Sequence, residues 1–115
     1  MATANIKLQL LWRIIEQFRL IHKEMQLQMV QLFLYVATNE GSTMAQIAEA
    51  LGISQSSISR LTSTMGKTWR PTGESELRDG YDLLFSEDDP YERRRTIVKL
   101  TPKGRRLAEQ VGAFL

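Results

Sequence analysis

The most restrictive feature of the sequence is residues 43 to 65, TMAQIAEALGISQSSISRLTSTM, where two short helical patterns flank a glycine. Thr43 followed by Gln46 has the spacing of a capping box, which predicts that a helix begins there and continues through residue 50. Ser54 is a favourable N-cap for a second helix that runs to about residue 65. Gly52 can take the positive φ that a tight turn between them demands. Two helices joined in this way predict a helix-turn-helix.

The apolar residues of this segment lie where the two helices must meet. Ala48 is a small residue four positions before Gly52, so the helices can cross closely there. Ile58, six positions after the glycine, is predicted to pack the second helix onto the first. The remaining inner positions are assigned to Ile47, Leu51, Ile53 and Leu61.

The opposite face of the second helix carries no acid and no large apolar side chain, at about 100° of rotation per residue. Its Ser, Gln and Arg side chains are types that contact phosphates and base edges in a major groove, and free amides at a helix start attract anions. An ordinary solvated helix surface is the alternative interpretation. The positions predicted to contact DNA in this region are Ser54, Gln55, Ser56, Ser59, Arg60, Ser63 and Lys67.

Charge is divided along the chain, although the net charge is only +2. Residues 74–92 hold eight of the thirteen acids, whereas residues 54–73 and 93–106 carry bases and no acid. Two basic segments separated by an acidic one are typical of a protein that meets a polyanion with two elements. Charge runs that are only solvated surface remain the alternative.

A β-hairpin is predicted from residues 81–86 and 95–100, with its tip at residues 90–94. In the second strand Thr96, Val98 and Leu100 alternate with Arg95, Ile97 and Lys99. Thr101 can cap a final helix, residues 101–115, with Pro102 at its first position.

The N-terminal part of the chain predicts an amphipathic helix over residues 5–25, followed by a second helix that ends near Asn39-Glu40-Gly41. The apolar stripe of the first helix is too broad for a solvent-facing helix on so small a body. It predicts contact with a second copy of the chain, with a purely intramolecular core as the alternative. The predicted dimer-interface residues are Leu11, Trp12, Ile14, Phe18, Ile21, Val111 and Phe114.

Residues 66–80, GKTWRPTGESELRDG, show no sustained periodicity and predict a long loop. Trp69 lies in this loop between two basic residues. Its side chain is equally compatible with covering the hairpin, lining a cleft or touching DNA.

Composition excludes several classes of protein. With 115 residues, the chain is sized for one domain, 1–115, and it has no run long enough for a membrane span and no signal-peptide pattern, which predicts a cytoplasmic protein. The absence of cysteine and the single His22 argue against a metal site, a cofactor and an enzyme.

Residues 10–112 resemble the winged helix-turn-helix domain of the MarR (multiple antibiotic resistance regulator) family of bacterial transcription regulators. The most specific part is Asp89-Pro90-Tyr91-Glu92-Arg93-Arg94 with the later Leu100-Thr101-Pro102 and Gly104, which is similar to the family's wing pattern D-P-x-D-R-R followed by L-T-P-x-G. Here Glu92 stands in place of the usual Asp, the 66–80 link is longer than usual, and the C-terminal helical region is shorter.

The resemblance implies a homodimer built from the first and last helices that binds a pseudo-palindromic DNA site. The helix from Ser54 would enter the major groove, and Arg93 or Arg94 would reach the minor groove, with Arg95 as a further contact. Asp89 and Glu92 would hold these arginines in position. Family members commonly repress transcription, and many release DNA when a small-molecule effector binds.

Together these observations predict a mainly α fold with a small β-hairpin (α+β), a winged helix-turn-helix. The predicted function is sequence-specific binding of double-stranded DNA by a homodimeric transcriptional repressor. Two alternatives stay open: a winged-helix protein-interaction module, and a DNA-binding factor for replication, packaging or partition.

Overall fold

A computed structural model of the chain describes residues 2–69, 73 and 75–115, and it has the predicted winged helix-turn-helix architecture. In chain order the elements are α1 (Ala2–Ile21), α2 (Leu27–Thr38), β1 (Ser42–Thr43), α3 (Met44–Leu51), α4 (Gln55–Thr64), β2 (Thr68–Trp69), β3 (Arg78–Asp79), β4 (Leu84–Asp88), β5 (Thr96–Leu100) and α5 (Pro102–Gly112). Within the described residues, no helix is long and apolar enough to cross a membrane.

The helix boundaries of the helix-turn-helix follow from local hydrogen bonds. The Gln46 amide donates to the Thr43 hydroxyl at 3.1 Å, and the Thr43 amide donates to Gln46 Oε1 at 2.9 Å, which completes the predicted capping box. Gly52 ends α3 in the left-handed conformation with φ of 70°. The Ser54 hydroxyl accepts from the Ser57 amide at 3.1 Å and starts α4.

The core joins the helix-turn-helix to the helices before and after it. Phe18 of α1 and Phe33 of α2 meet edge to face, with ring centroids 5.5 Å apart. The largest fully buried side chains are Phe18, Phe33, Leu32, Ile47, Ile58, Met65, Leu83, Leu84, Val36 and Val98. Of the predicted inner positions, Ile47, Ala48, Ile58 and Leu61 are buried, and Leu51 and Ile53 are partly buried against the same core.

The first helix is shorter at its C-terminal end than predicted. It ends at Ile21, not at residue 25, because the chain turns there: the Met25 amide donates to the carbonyl of His22. Met25 packs against the core from this turn. Its apolar side chain therefore fits the helical spacing in the sequence although Met25 lies outside the helix.

The predicted dimer residues fall into three groups by burial. Ile14, Phe18 and Val111 are buried in the core of the chain itself, and their contact with a partner chain stays a prediction. Ile21 and Phe114 are partly buried against the same core. Only Leu11 and Trp12 of the predicted set are exposed.

The wing is part of a three-stranded antiparallel sheet with strand order β1-β5-β4. The two-residue strand β1, which pairs Ser42 with Val98, is too short to leave a pattern in the sequence. It makes β5 the central strand, and Ile97 is therefore only 7% exposed although alternation grouped it with Arg95 and Lys99. The first wing strand begins at Leu84, not at residue 81.

The later start of β4 has a structural cause. Asp82 has a positive φ of 56°, which breaks the extended conformation before the strand. The amides of Leu83 and Leu84 both donate to the carbonyl of Met65, at 2.8 and 3.0 Å. The segment that leads into the strand is therefore hydrogen-bonded to the end of α4.

The predicted 66–80 loop is structured at both ends, which corrects the prediction. Strands β2 and β3 pair antiparallel, with Thr68 opposite Asp79. At the base of this ribbon the Gly80 amide donates to the carbonyl of Lys67 at 2.9 Å, and a Cβ at Gly80 would collide with the Gly66 carbonyl. Residues 70–72 and 74, and the side chain of Trp69 with its three alternative roles, lie outside the described part of the structure.

The sequence Leu100-Thr101-Pro102-Lys103-Gly104 attaches α5 to the wing. The Thr101 hydroxyl accepts from the Gly104 amide at 2.9 Å and donates to the carbonyl of Asp82 at 2.6 Å. Gly104 lies directly against the carbonyl of Leu83, where a Cβ would collide. The glycine is therefore required by close backbone packing.

We expect Gly104→Ala to lower the free energy of unfolding by about 2–4 kcal/mol, because the added methyl group must displace the backbone of Leu83. Gly112→Ala is the matched control in the same helix, since nothing lies within 4 Å of its Cβ position. It should leave stability unchanged or raise it by up to about 1 kcal/mol. Urea unfolding followed by circular dichroism measures both, and equal effects of the two substitutions would contradict this packing.

Candidate nucleic-acid interface

A cleft of about 800 Å³ lies between the helix-turn-helix and the wing. Three elements form its walls: the first turn of α3, the first two turns of α4, and the wing strands. Its lining residues are Thr43, Met44, Ala45, Gln46, Gln55, Ser56, Ser59, Ser86, Arg94, Arg95 and Thr96. The fold thus brings Gln55, Ser56 and Ser59 together with Arg94 and Arg95, which are far apart in the sequence.

The serines of α4 divide into structural and exposed groups. Ser54 is occupied as the N-cap, and its hydroxyl also contacts those of Ser56 and Ser57. Ser63 donates back to the carbonyl of Ser59 at 3.0 Å. Gln55, Ser56 and Ser59 are exposed and face the cleft. The Ser56 hydroxyl is hydrogen-bonded to that of Ser54, whereas the side chains of Gln55 and Ser59 make no hydrogen bond to another described residue.

The predicted site does not form one continuous cleft. Ser63 and Lys67 line a second cleft of about 710 Å³ between the end of α4, the β2–β3 ribbon and β4. Ser54, Arg60 and Arg93 are exposed but line neither of these two clefts. The predicted DNA-contacting residues therefore form one main group, which lies in the first cleft at the start of α4 and on the wing. The remaining predicted residues lie in the second cleft or outside both clefts.

The wing tip is closed by backbone hydrogen bonds. The Asp89 amide donates to the Arg95 carbonyl, and the Arg95 amide donates to the Glu92 carbonyl, both at 2.9 Å. The Asp89 carboxylate accepts from the Tyr91 amide at 2.9 Å. Asp89 thus holds the backbone of the tip, and among the described residues it makes no ion pair with an arginine, which differs from the predicted bracing role.

Two ion pairs order the charges of the wing. Glu92 Oε2 lies 3.8 Å from Arg95 Nη2, so the acid braces Arg95, and Arg93 and Arg94 make no ion pair with any described residue. Lys99 Nζ lies 2.8 Å from Glu87 Oε1, and this hydrogen bond raises the pKa of Lys99 and keeps the ammonium charged. The wing therefore presents Arg94 to the cleft as a free cation.

The position of the wing also depends on Glu40, which sequence reasoning read only as part of a helix end. Glu40 Oε1 accepts from the Leu100 amide at 3.1 Å and from Arg105 Nη2 at 2.8 Å. One carboxylate thus connects the turn after α2 with the end of β5 and with α5. Arg105 belongs to the basic segment of residues 93–106, and its side chain is bonded to Glu40.

Sequence reasoning also missed the contribution of α3 to the cleft. Thr43 and Gln46 line it, although their sequence pattern predicted only a capping box. That capping box was itself the available signal, because it marks a helix start whose amides face outward. Ser86 and Thr96 on the wing strands left no comparable signal.

No group of three or more His, Asp or Glu side chains that could hold a metal ion occurs in the described part of the chain. His22 instead stacks on Tyr81, with ring centroids 5.2 Å apart. Burial raises the pKa of the Tyr81 hydroxyl. Both rings lie outside the cleft lining.

Comparison of the sequence with known families identifies the same region. Residues 29–67, which span α2 to α4, match the family model of the IclR helix-turn-helix domain. No curated protein matches the chain.

Solved structures share the whole fold. A MarR-like transcriptional regulator from Thermotoga maritima is 26% identical with a TM-score of 0.61, over 79% of this chain and 55% of that chain. MepR from S. aureus in complex with DNA is 21% identical with a TM-score of 0.65, over 99% and 78% of the two chains. PcaV from Streptomyces coelicolor, in complex with its natural ligand, is 20% identical with a TM-score of 0.59, over 90% and 68%.

The cleft, the wing and these similarities define the chain as a winged helix-turn-helix protein of the class of DNA-binding transcriptional regulators. Within that class its structural neighbours include MarR-type regulators, which confirms the predicted resemblance. The chain spans 55% of the length of its Thermotoga neighbour.

The two roles of the α4 serines can be separated by mutation. We expect Ser54→Ala to lower the free energy of unfolding by about 1 kcal/mol, because the N-cap bond to the Ser57 amide is lost. Ser59→Ala, at an exposed position facing the cleft, should change stability by less than about 0.5 kcal/mol. Urea unfolding of the two variants checks this, and equal losses would mean that Ser54 is not the effective cap.

Proposed function

We propose that this protein represses transcription by binding double-stranded DNA, with α4 in the major groove and the β4–β5 wing in the adjacent minor groove. The observation that carries the proposal is the cleft in which the acid-free start of α4 faces Arg94, which makes no ion pair with a described residue. This cleft is suited to a polyanion because α4 contributes no acidic side chain to it and Arg94 contributes a positive charge.

The dimensions of α4 suit a major groove. Its ten residues make a helix about 15 Å long, and the groove is about 12 Å wide. Gln55, Ser56 and Ser59 near its N-terminus carry hydrogen-bonding groups that contact base edges, while Arg60 supplies a phosphate contact.

Arg94 is the proposed minor-groove residue. It lines the cleft together with the start of α4, whereas Arg93 does not, and Arg95 is held near Glu92. A guanidinium group in a narrow minor groove responds to the negative potential there and reads groove width.

A second copy of the chain is the proposed partner at α1. Leu8, Leu11, Trp12 and Ile15 form an apolar strip on the helix, separate from the buried Ile14 and Phe18. Leu11 is 54% exposed and Trp12 is 65% exposed. Large apolar side chains grouped on one exposed helix face favour a protein contact, and a two-fold dimer places two α4 helices on successive major grooves.

Regulation by a small molecule is proposed by analogy alone, because PcaV is described in complex with its natural ligand.

The experiment that tests the function as a whole is selection of genomic fragments by the purified protein. Enrichment of promoter fragments supports a regulator, enrichment of an origin region indicates a replication or partition factor, and no enrichment indicates a protein-interaction module.

We expect Arg94→Ala to weaken binding to a selected duplex by roughly 5- to 100-fold, because a groove contact is lost. The slope of log affinity against log salt should fall by about 0.9, the value for one phosphate charge neutralised. Fluorescence anisotropy across a salt series measures both.

Arg106→Ala is the control for Arg94→Ala, since it removes the same charge from the α5 side that faces α1. Its affinity and salt slope should stay close to those of the wild-type protein. If Arg94→Ala binds like wild type, the wing is not the minor-groove element.

The double substitution Leu11→Glu and Trp12→Glu should convert a dimer into a monomer. Loss of two apolar contacts and the approach of four carboxylates raise the dimer dissociation constant by at least about 100-fold. Light scattering coupled to size-exclusion chromatography gives the mass. The monomer fold should persist because both side chains are exposed.

Gln17→Glu is the matched control on α1, because this residue lies in the groove against α5 on the other side of the helix. It should leave the mass unchanged. A wild-type protein that is monomeric at micromolar concentration would contradict the dimer.

A further inference from the structure

The wing tip presents an aromatic residue that the proposed DNA contacts do not use. Tyr91 is 98% exposed, the highest value among the large apolar side chains of the described residues. We propose that Tyr91 is an additional DNA contact, with its ring packed against the deoxyribose wall of the minor groove beside Arg94. This inference rests on the proposed function and adds to it a non-ionic determinant of affinity and specificity.

The backbone that carries Tyr91 is held in one conformation. The Tyr91 amide donates to the Asp89 carboxylate at 2.9 Å. The preceding residue, Pro90, has its own φ fixed by the pyrrolidine ring. The bonds from the Asp89 amide to Arg95 and from the Arg95 amide to Glu92 close the loop on both sides. Because the backbone of the tip is held by these bonds, less backbone conformational entropy is lost when the tip contacts a partner.

The charges at the tip favour a contact that is not ionic. Residues 87–95 contain four acids, Glu87, Asp88, Asp89 and Glu92, and only three arginines. Attraction of this tip to a polyanion is therefore weak, even though Glu87 and Glu92 are paired with Lys99 and Arg95. A contact that does not depend on charge would therefore add affinity at the tip beside Arg94.

A tyrosine ring is suited to the walls of the minor groove. Deoxyribose presents apolar C–H groups there, and minor-groove proteins commonly insert apolar side chains beside their arginines. The ring adds contact area, while its hydroxyl can stay hydrated or reach a phosphate. Phe85, which is also exposed, lines the second cleft away from the tip and does not share this geometry.

The test compares Tyr91→Ala and Tyr91→Phe with the wild-type protein on a duplex recovered by selection from genomic fragments. Tyr91→Ala should weaken binding about tenfold, because the buried ring area is lost. The salt slope should stay unchanged, because no charge is removed, whereas Arg94→Ala lowers it. Tyr91→Phe should keep affinity within about twofold, and the unfolding midpoints of both variants should equal that of the wild type, since the ring contacts nothing in the folded chain.

Each other outcome overturns the inference in a recognisable way. Wild-type affinity for Tyr91→Ala excludes a contact, and a loss as large for Tyr91→Phe as for Tyr91→Ala excludes packing by the ring. A changed salt slope for Tyr91→Ala would mean that the tip had been displaced. If the wild-type protein selects no duplex at all, the proposed function itself fails. If the wild-type protein binds a duplex and Arg94→Ala weakens that binding while Tyr91→Ala does not, only the inference about Tyr91 fails.

Discussion

The hydroxyl of Thr101 is the contact on which the arrangement of the wing depends. It accepts from the Gly104 amide and so begins α5, and it donates to the Asp82 carbonyl in the segment that leads into β4. The amide of the same residue donates to the carbonyl of Leu83 at 3.0 Å. A single residue therefore joins the end of one wing strand, the entry to the other and the first turn of the last helix, and only glycine at position 104 permits so close an approach.

The wing and α4 keep a defined relation because the same segment is bonded on its other side. The amides of Leu83 and Leu84 share the Met65 carbonyl at the end of α4, and the Asp82 amide donates to Gly66 at 2.9 Å. Glu40 provides an independent connection from the turn after α2 to Leu100 and Arg105. The cleft between Ser59 and Arg94 is thus bounded by elements that are hydrogen-bonded to one another, a requirement for an interface that must match the spacing of two DNA grooves.

The mixed charges of the wing have a structural explanation. Its acids are used inside the hairpin: Asp89 fixes the turn, Glu92 lies near Arg95, and Glu87 holds Lys99. Such exposed pairs contribute little to stability. Their effect is selective: of the two arginines that line the cleft, Arg95 is paired with Glu92, whereas Arg94 makes no ion pair within the described part of the chain. The same acids weaken the general electrostatic attraction between the wing and DNA. Binding by the wing would therefore depend less on its net charge than on the individual side chains at its tip.

The sequence by itself determined the features that depend on neighbours a few residues apart. The capping box at Thr43, the left-handed turn at Gly52 and the N-caps at Ser54 and Thr101 are encoded within three or four residues, so their patterns are visible in one dimension. The alternation of residues 95–100 predicted the hairpin, and the wing pattern carried the family resemblance.

Only the tertiary structure decided which residues of the broad α1 stripe are internal, which arginine lines the cleft, and what Glu40 does. The burial of Ile97 depends on β1, which lies more than fifty residues away in the sequence. The pairing within residues 66–80 depends on the contact of Gly66 with Gly80. These outcomes are set by hydrogen bonds and packing between distant segments, and no local periodicity records which segments will meet.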